Sequence, residues 1–516
     1  MAQQLQTYSI TAPGFYGLNT QDSSLDLASG FALVANNCVI DKYGRIGARK
    51  GWVPKHSTLA ALGTADIKMI SKLLTDGGTD YVIAAGNNKI FSLNVNTLTE
   101  ITYGGGGAAP TITDSKWKAV TLNNCMYLFQ SGHDPLVFDP AVSTTTYRRV
   151  SEKTGYAGTI LAGNCAVSAF GRLWVANSTT DKDTVYFSDL LSGHVWTGGT
   201  SGSLDISKYW PNGSDNIVAL AAHNNFLFIF GKNNILVYSN ANDPSNITLS
   251  DSTTGIGCIA RDSVANTGSD VIFLSDTGVR SVLRTIQEKS APFRDLSKNV
   301  RDDLMSAVKG EDLTTIKAVY NPLESFYLIT LPILKTVYCF DLKASLQDGS
   351  ARITTWDSIE PKSFFYDNVN KELLLGKAGY IASYTGYLDN TSTYRFQYFT
   401  NHTDLGAPSI TSVLKRLSVV VIGGSDQYLS MKWGYDFTGN YFSQTVKIPA
   451  QGVAYFGVSE YNTSSAIYSG GTSLQTLVAY PTGAGKIIQT GYEADINSTA
   501  LSIQKLELQA KNGKIV

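Results

Sequence analysis

Asp181 and Asp183, on either side of Lys182, are the carboxylates whose spacing best suits holding a cation or sharing acid–base work. They lie in a polar stretch between Trp174 and Tyr186, where a solvated turn is the default, and the full calcium-loop pattern is absent. Gly485-Lys486, in the run Tyr480 to Ile487, is a second candidate. A phosphate loop needs Gly where Tyr480 stands, Ser or Thr where Ile487 stands, and a helix afterwards. Here a strand pattern follows, so a hairpin turn is expected. Ser412-Val413-Leu414-Lys415 matches S-x-x-K but runs into a strand pattern, and no G-x-S-x-G is present. His56, His133, His194, His223 and His402 are isolated and form no H-x-x-x-H pair, which reads as surface or turn positions. These residues predict no catalytic group, no metal and no cofactor.

The whole chain narrows the classes further. At 516 residues it is too long for one ordinary core. Charged residues make up only 16%, so Asn, Ser, Thr and Gly must supply much of the polar surface. A count of 41 basic against 42 acidic residues lacks the basic excess of a sequence-reading DNA binder. Near neutrality is instead compatible with a conduit, because each basic side chain on a phosphate would slow DNA passage. Cys38, Cys125, Cys165, Cys258 and Cys339 are scattered without a C-x-x-C, which predicts buried free thiols made in a reducing compartment. The first residues have neither a basic nor an apolar signal region, and no run approaches the length of a membrane span. Synthesis in a cytoplasm and no integral membrane segment are expected.

The elements that would position any site are strands. Between residues 65 and 392 an apolar strand, a short polar turn and a second apolar strand recur. The clearest hairpins start near Tyr81, Met126, Leu173, Phe226, Val271, Phe326 and Leu373, roughly 45–55 residues apart, the repeat length of propeller blades. Further apolar strands precede most of them, at Ile67-Met69-Ile70, Trp117-Ala119-Val120, Ile217 to Leu220, and Ile316-Ala318-Val319. The expected fold is all-β, a β-propeller of about seven blades. An irregular pair of β-sandwiches is the alternative.

One insertion breaks the pattern near residues 290–311. Phe293, Leu296, Val300, Leu304 and Val308 fall on one face of a helix, and Gly310 suits its C-terminus. A helix packed on the propeller rim is predicted, with Arg294, Lys298 and Arg301 on the opposite face as candidate subunit contacts. Residues 393–516 alternate differently, in Arg416 to Ile422, Tyr428 to Trp433 and Lys505 to Ala510, and predict a C-terminal β-sandwich tip domain. The Tyr- and Ser-rich stretch from Tyr455 to Tyr480 reads as a loop suited to contacts.

Residues 1–64 form the remaining unit, an N-terminal arm and docking hairpin. Asn37 to Ile40, the turn Asp41-Lys42-Tyr43-Gly44, and Arg45 to Arg49 read as a β-hairpin. Gln21 to Leu27 has few apolar residues and no helical period, as expected of an extended arm ordered by another surface.

Several words in this region resemble the start of the tail nozzle proteins of short-tailed bacteriophages, also called tubular or packaged-DNA stabilisation proteins. They are Gly17-Leu18-Asn19-Thr20, Ser29-Gly30-Phe31-Ala32, Asn36-Asn37-Cys38 and the run Gly44 to Trp52. Glu493 to Asn497 and Leu501 to Lys505 resemble the same group near its C-terminus, while the middle resembles it in architecture. The resemblance implies a structural virion protein: a homo-hexameric ring in the tail that continues the DNA ejection channel and retains the packaged genome. Its implied partners are the tail adaptor above it, tail fibres or adhesins, and double-stranded DNA in passage. Leu18, Leu25, Phe31, Arg45, Arg49 and Trp52 are the candidate docking residues toward the adaptor or a neighbouring subunit. The competing expectation is a propeller enzyme or glycan-binding module, which would cluster carboxylates or aromatics at one end of the propeller channel.

Overall fold

The computed structural model describes residues 5–113, 116–159, 162–178, 181–211, 213–282, 295–405, 409–449 and 474–512. Its centre is a seven-bladed β-propeller. Blade 1 holds strands Met69–Leu74, Asp80–Gly86, Lys89–Asn94 and Thr97–Tyr103; blade 2 holds Trp117–Leu122, Cys125–Gln130, Leu136–Phe138 and Thr146–Arg149. The outer strands of these two blades pair in parallel, joining them into one 8-stranded sheet. Blades 3 and 4 start at Cys165–Ala169 and Ile217–His223, and each has four strands. Blade 5 contributes Ala265–Asn266, Val271–Ser275 and Gly278–Ser281. Blade 6 runs from Lys317–Asn321 to Arg352–Trp356, and blade 7 contains Ser363–Asp367, Glu372–Lys377 and Tyr380–Tyr384. The seven hairpins expected from the alternation are the seven pairs of middle strands.

Local chemistry explains the hairpins. Asn87-Asn88, Asn123-Asn124 and Asn224-Asn225 each place two consecutive residues at positive φ, between 46° and 63°, closing two-residue turns. Asn tolerates that region better than most residues, and such turns match the right-handed twist of the strands. Packing then builds the ring. Each blade interface carries its own apolar cluster, as in Met126, Leu128 and Phe138 against Met69, Ile83 and Ile90 between blades 1 and 2. First strands of neighbouring blades lie side by side, with the 3-10 turn Arg261–Ser263 taking that place beside blade 4, and the ring closes where Ser363–Asp367 meets Met69–Leu74.

The closure uses the N-terminus. Strand Trp52–Pro54 pairs antiparallel with Tyr380–Tyr384 as the fourth strand of blade 7. His56 secures it: its Nε2 accepts from the Ile381 amide at 3.0 Å and its Nδ1 donates to the Ser57 carbonyl at 2.6 Å. His56 and His223 are buried, contrary to the surface positions expected for isolated histidines. Lys72 of blade 1 reaches Asp367 of blade 7 at 2.7 Å and also pairs with Asp80, a second link across the seam.

The two chain ends are interwoven. The predicted hairpin forms as Cys38–Ile40 paired with Ile46–Ala48, its turn held by the Asp41 carboxylate accepting from the amides of Tyr43 (2.8 Å) and Arg45 (3.0 Å). Ile46–Ala48 continues onto Leu501–Asn512, which also pairs with Ser412–Gly423 and with Leu5–Thr11. A second sheet runs from blade 6 through Gly17–Leu18, Phe31–Asn36, Tyr394–Thr400, Ile488–Ile496 and Tyr428–Tyr435 to Tyr441–Lys447. Both sheets bury side chains in one core, among them Leu417, Val419, Met431, Trp433, Tyr492 and Leu506. Residues 394–512 therefore share each of their sheets with N-terminal strands. Residues of the same chain hold the arm: the Ser24 carbonyl accepts from the His402 amide at 3.1 Å, and the Leu27 carbonyl from the Asn401 side chain at 3.1 Å.

Among the described residues the helix starts later than its periodicity predicts. A 3-10 turn, Lys298–Val300, leads into a helix at Arg301–Lys309. Leu296, Val300, Leu304 and Val308 are buried in the large core beside blades 5 and 6, while Phe293 and Arg294 lie outside the described residues. Most of the stretch from Tyr455 to Tyr480 also lies outside them. Among the described residues, no helix is long and apolar enough to cross a membrane.

Candidate functional site

Two places concentrate polar side chains: the junction of the chain ends with the propeller, and the propeller channel. At the junction the centre is Arg49, which is fully buried. Its guanidinium grips both oxygens of Asp389 at 2.8 Å and donates to Asn37 (2.8 Å), the Lys50 carbonyl (2.8 Å) and Ser358 (3.0 Å). The Tyr394 ring lies 4.0 Å from it. A planar fork with several donors suits such a pocket, where a lysine would leave acceptors unmet. Glycines let the strands approach: a Cβ on Gly47 would stand 2.6 Å from Ser502 Oγ, and one on Gly51 would stand 1.8 Å from the Leu388 carbonyl oxygen.

This placement corrects several docking expectations. Arg49, Trp52 and Leu18 are interior groups, 0%, 9% and 8% exposed, and cannot meet a partner. They resembled surface contacts in sequence because nothing local reports that Asp389 lies opposite Arg49. Phe31 is half-buried against Tyr16. Arg45 is partly exposed, donates to Gln504 at 2.6 Å and sits over the Tyr43 ring. Leu25, 42% exposed, is the candidate most open to solvent. On the insertion, Lys298 pairs with Asp348 at 2.7 Å and Arg301 with the buried Asp295 at 2.5 Å.

The channel cavities are lined by residues at the first strands of blades 1, 2, 6 and 7 and by the segment that enters blade 5. A cavity of 210 Å³ is bounded by Met69, Trp117, Lys118, Asp262, Lys317 and Phe364, among others. Asp262 is its electrostatic centre. Lys317 contacts it at 2.5 Å, Arg261 at 2.6 Å and Lys118 at 3.5 Å. Burial alone would raise the Asp262 carboxyl, but these three cations hold it well below the usual carboxylate range. Burial pushes the Lys317 ammonium down, and the nearby Arg261 and Lys118 add to that against the pull of Asp262. Arg261 spends its remaining donors on the carbonyls of Lys116 (3.0 Å), Trp117 (2.7 Å) and Asn164 (2.8 Å), tying blade 5 to blades 2 and 3.

A wider cavity of 320 Å³ forms the mouth at the end where the first strands begin, and shares Lys68 and Lys317 with the inner one. Its wall includes Lys116, Lys362, Asp66, Asp312, Thr314 and Thr315. Basic residues thus stand at or just before the first strands of four neighbouring blades: 6, 7, 1 and 2. Sequence reading missed them because they are scattered singly along the chain. Aligning the seven hairpins and reading the residue that starts each inner strand would have shown the pattern.

The remaining sequence candidates are turns. Asp181 accepts from the Tyr186 hydroxyl at 2.8 Å, and Asp183 from the Trp210 indole at 3.2 Å. Burial and that carboxylate push Tyr186 up to about 12. In the Gly485-Lys486 segment, the Asp436 carboxylate already accepts from the amides of Lys486 (2.7 Å) and Ile487 (3.0 Å), where a phosphate would need to sit. Strand Ile488–Ile496 follows, as expected for a turn. Ser412 opens a strand and Lys415 falls at a register shift within it. All five cysteines are buried and free. Burial raises the thiols of Cys165 and Cys258 to about 11 and about 12, so neither is an activated nucleophile. Among the described residues no group of three or more His, Cys, Asp or Glu could hold a metal ion.

No protein-family model and no curated protein matches the chain. Solved structures similar to it include PorZ, a surface component of the type-IX secretion system of Porphyromonas gingivalis, at 12% identity and a TM-score of 0.36 over 64% of this chain and 37% of PorZ. YCF48 from Cyanidioschyzon merolae matches at 10% identity and a TM-score of 0.37, over 65% of this chain and 99% of that one. The Neurospora crassa Pan2 WD40 domain matches at 9% identity and a TM-score of 0.38, over 66% and 95%.

Proposed function

We propose that this chain is a non-catalytic structural protein of a virion, the tail nozzle of a short-tailed bacteriophage. In this reading it acts as a homo-hexameric ring that continues the DNA ejection channel, retains the packaged genome and docks to the tail adaptor and fibres. The supporting observation is where the words that resemble the nozzle family lie. They come from opposite ends of the chain and meet in one place. Ile46 and Gly47 pair with Ile503 and Ser502, Arg45 bonds Gln504, and Phe31–Asn36 joins Ile488–Ile496 through Tyr394–Thr400. In this reading those words form one folded unit shared by the two chain ends.

That unit also suits force and assembly. It locks the propeller seam and the terminal sheets into one connected structure, with the Arg49–Asp389 pair at its centre. The channel cavities carry lysines beside the carboxylates Asp66, Asp262 and Asp312, and Asp262 is engaged by Lys317, Arg261 and Lys118. Docking in this reading falls to exposed groups such as Leu25 and to partly exposed Arg45, rather than to the buried members of the docking set.

Immunogold electron microscopy of intact particles from the source lysate, with an antibody to this chain, tests the proposal. Label confined to the end of a short tail is the expected result. Particles that never carry label would overturn it.

A further inference from the structure

Away from the channel, a cleft of 180 Å³ opens at the outer edge of blade 2, on the side that packs against blade 3. Thr146–Arg149 is the outer strand there, and Arg148 stands opposite Val137 of the adjoining strand. Both residues line the cleft, together with Val142, Thr146 and Thr154. Alternation along the strand sends Arg148 and Arg149 to opposite faces. On its own face, Arg149 pairs with Asp134 at 3.4 Å and with Glu152 at 3.7 Å. Within the cleft, Lys153 pairs with Asp139, whose carboxylate also accepts from the Ala141 amide at 3.1 Å. Burial alone would raise the Asp139 carboxyl, but Lys153 and that amide hold it below the usual carboxylate range. Lys153 and Asp139 thus cancel each other.

Arg148 is left over. Among the described residues it makes no hydrogen bond and no ion pair, and its Nε is buried without a partner. A buried donor left unmet is costly, and the planar fork of a guanidinium matches a carboxylate at two points. The Thr146 and Thr154 hydroxyls at the wall also make no hydrogen bond among the described residues.

We propose that this cleft binds a single carboxylate carried on a short aliphatic chain. Arg148 takes both oxygens, the two threonine hydroxyls donate at the wall, and Val137 and Val142 cover the chain. One unmatched cation calls for one negative charge, and Asp139 beside it repels a second. The volume equals that of about six waters, room for a three- or four-carbon acid. A free short-chain acid and the glutamate side chain of a partner protein both carry this chemistry. The inference is independent of the virion reading, since it concerns one cleft within one chain.

Saturation-transfer NMR of the full chain with propionate, at constant ionic strength, tests it. A saturable signal is expected, with the uncharged propionamide binding at least about tenfold more weakly because the charge-assisted contact is lost. Arg148→Met keeps the apolar stem and should weaken propionate by about tenfold or more, and Arg148→Lys should recover part of that loss. The α-amide of N-acetylglutamate separates the two sources. Tighter binding than propionate identifies a protein side chain, and weaker binding identifies a free acid. No saturable signal with propionate, equal binding of propionamide, or unchanged affinity in folded Arg148→Met would overturn the proposal.

Discussion

Replacing Arg49 should cost more than any surface substitution in this chain. The side chain is 0% exposed and Asp389 is 8% exposed, so Arg49→Met leaves a carboxylate buried without its counter-charge. The Asn37, Ser358 and Lys50 acceptors lose their donor as well. Breaking one side of a buried pair costs ~3–5 kcal/mol. Arg49→Lys keeps the charge but loses the two-point grip, which is worth about 2 kcal/mol. Adding Asp389→Leu to Arg49→Met removes the stranded charge, and the pair should recover more than about 2 kcal/mol relative to the sum of the single losses. Hydrogen exchange of Trp52–Pro54 and Tyr380–Tyr384 reads the effect locally, and urea unfolding followed by tryptophan fluorescence reads it globally. Loss of protection at that seam before the rest of the propeller is the expected order. A midpoint within about 0.5 kcal/mol of the parent, or additive single and double effects, would refute the account. A residue whose role was docking would instead leave the isolated chain's stability unchanged and weaken its association.

Two further perturbations test the closure. Deleting residues 1–54 removes the fourth strand of blade 7 and strands from both terminal sheets, so cooperative unfolding and rapid proteolysis are expected; a folded, protease-resistant propeller would contradict the seam. Burial pushes the Lys377 ammonium down to about 8, so in the folded state its charged form is disfavoured. Below pH 8 the lysine is protonated in both states and the folded protein carries the whole penalty. Between about 8 and 10.5 the folded state releases the proton while the unfolded chain keeps it, so stability rises with pH. Lys377→Met should therefore be more stable than the parent by ~1–3 kcal/mol at pH 7, an advantage that narrows across that window. Denaturation midpoints at pH 7 and pH 10 measure it, and a gap that stays constant would rule out the buried charge as its cause.

Much of the fold was legible in the sequence because it is made of local units. A hairpin declares itself through alternation and turn chemistry, so the middle strands of all seven blades, and the turn at Asp41 to Gly44, follow from residues close together. The spacing of those hairpins then implies a ring, since a blade needs neighbours to cover both faces. The helix was overextended because a 3.6-residue period marks which residues are buried, and Leu296 lies on the same apolar face without being helical.

What tertiary structure decided is which distant segments meet. Trp52-Val53-Pro54 carries no pattern that names Tyr380–Tyr384 as its partner, and Leu5–Thr11 none that names Leu501–Asn512. Arg49 reads as a surface cation until Asp389 is brought opposite it, and only that pairing makes burial affordable. The lysines of the channel mouth are unremarkable one at a time. Closing seven blades brings their starting positions to one end of one cavity, where charges far apart in the chain share a low-dielectric space. Sequence order sets each residue's local environment, whereas the field at a site sums over every residue the fold brings within reach.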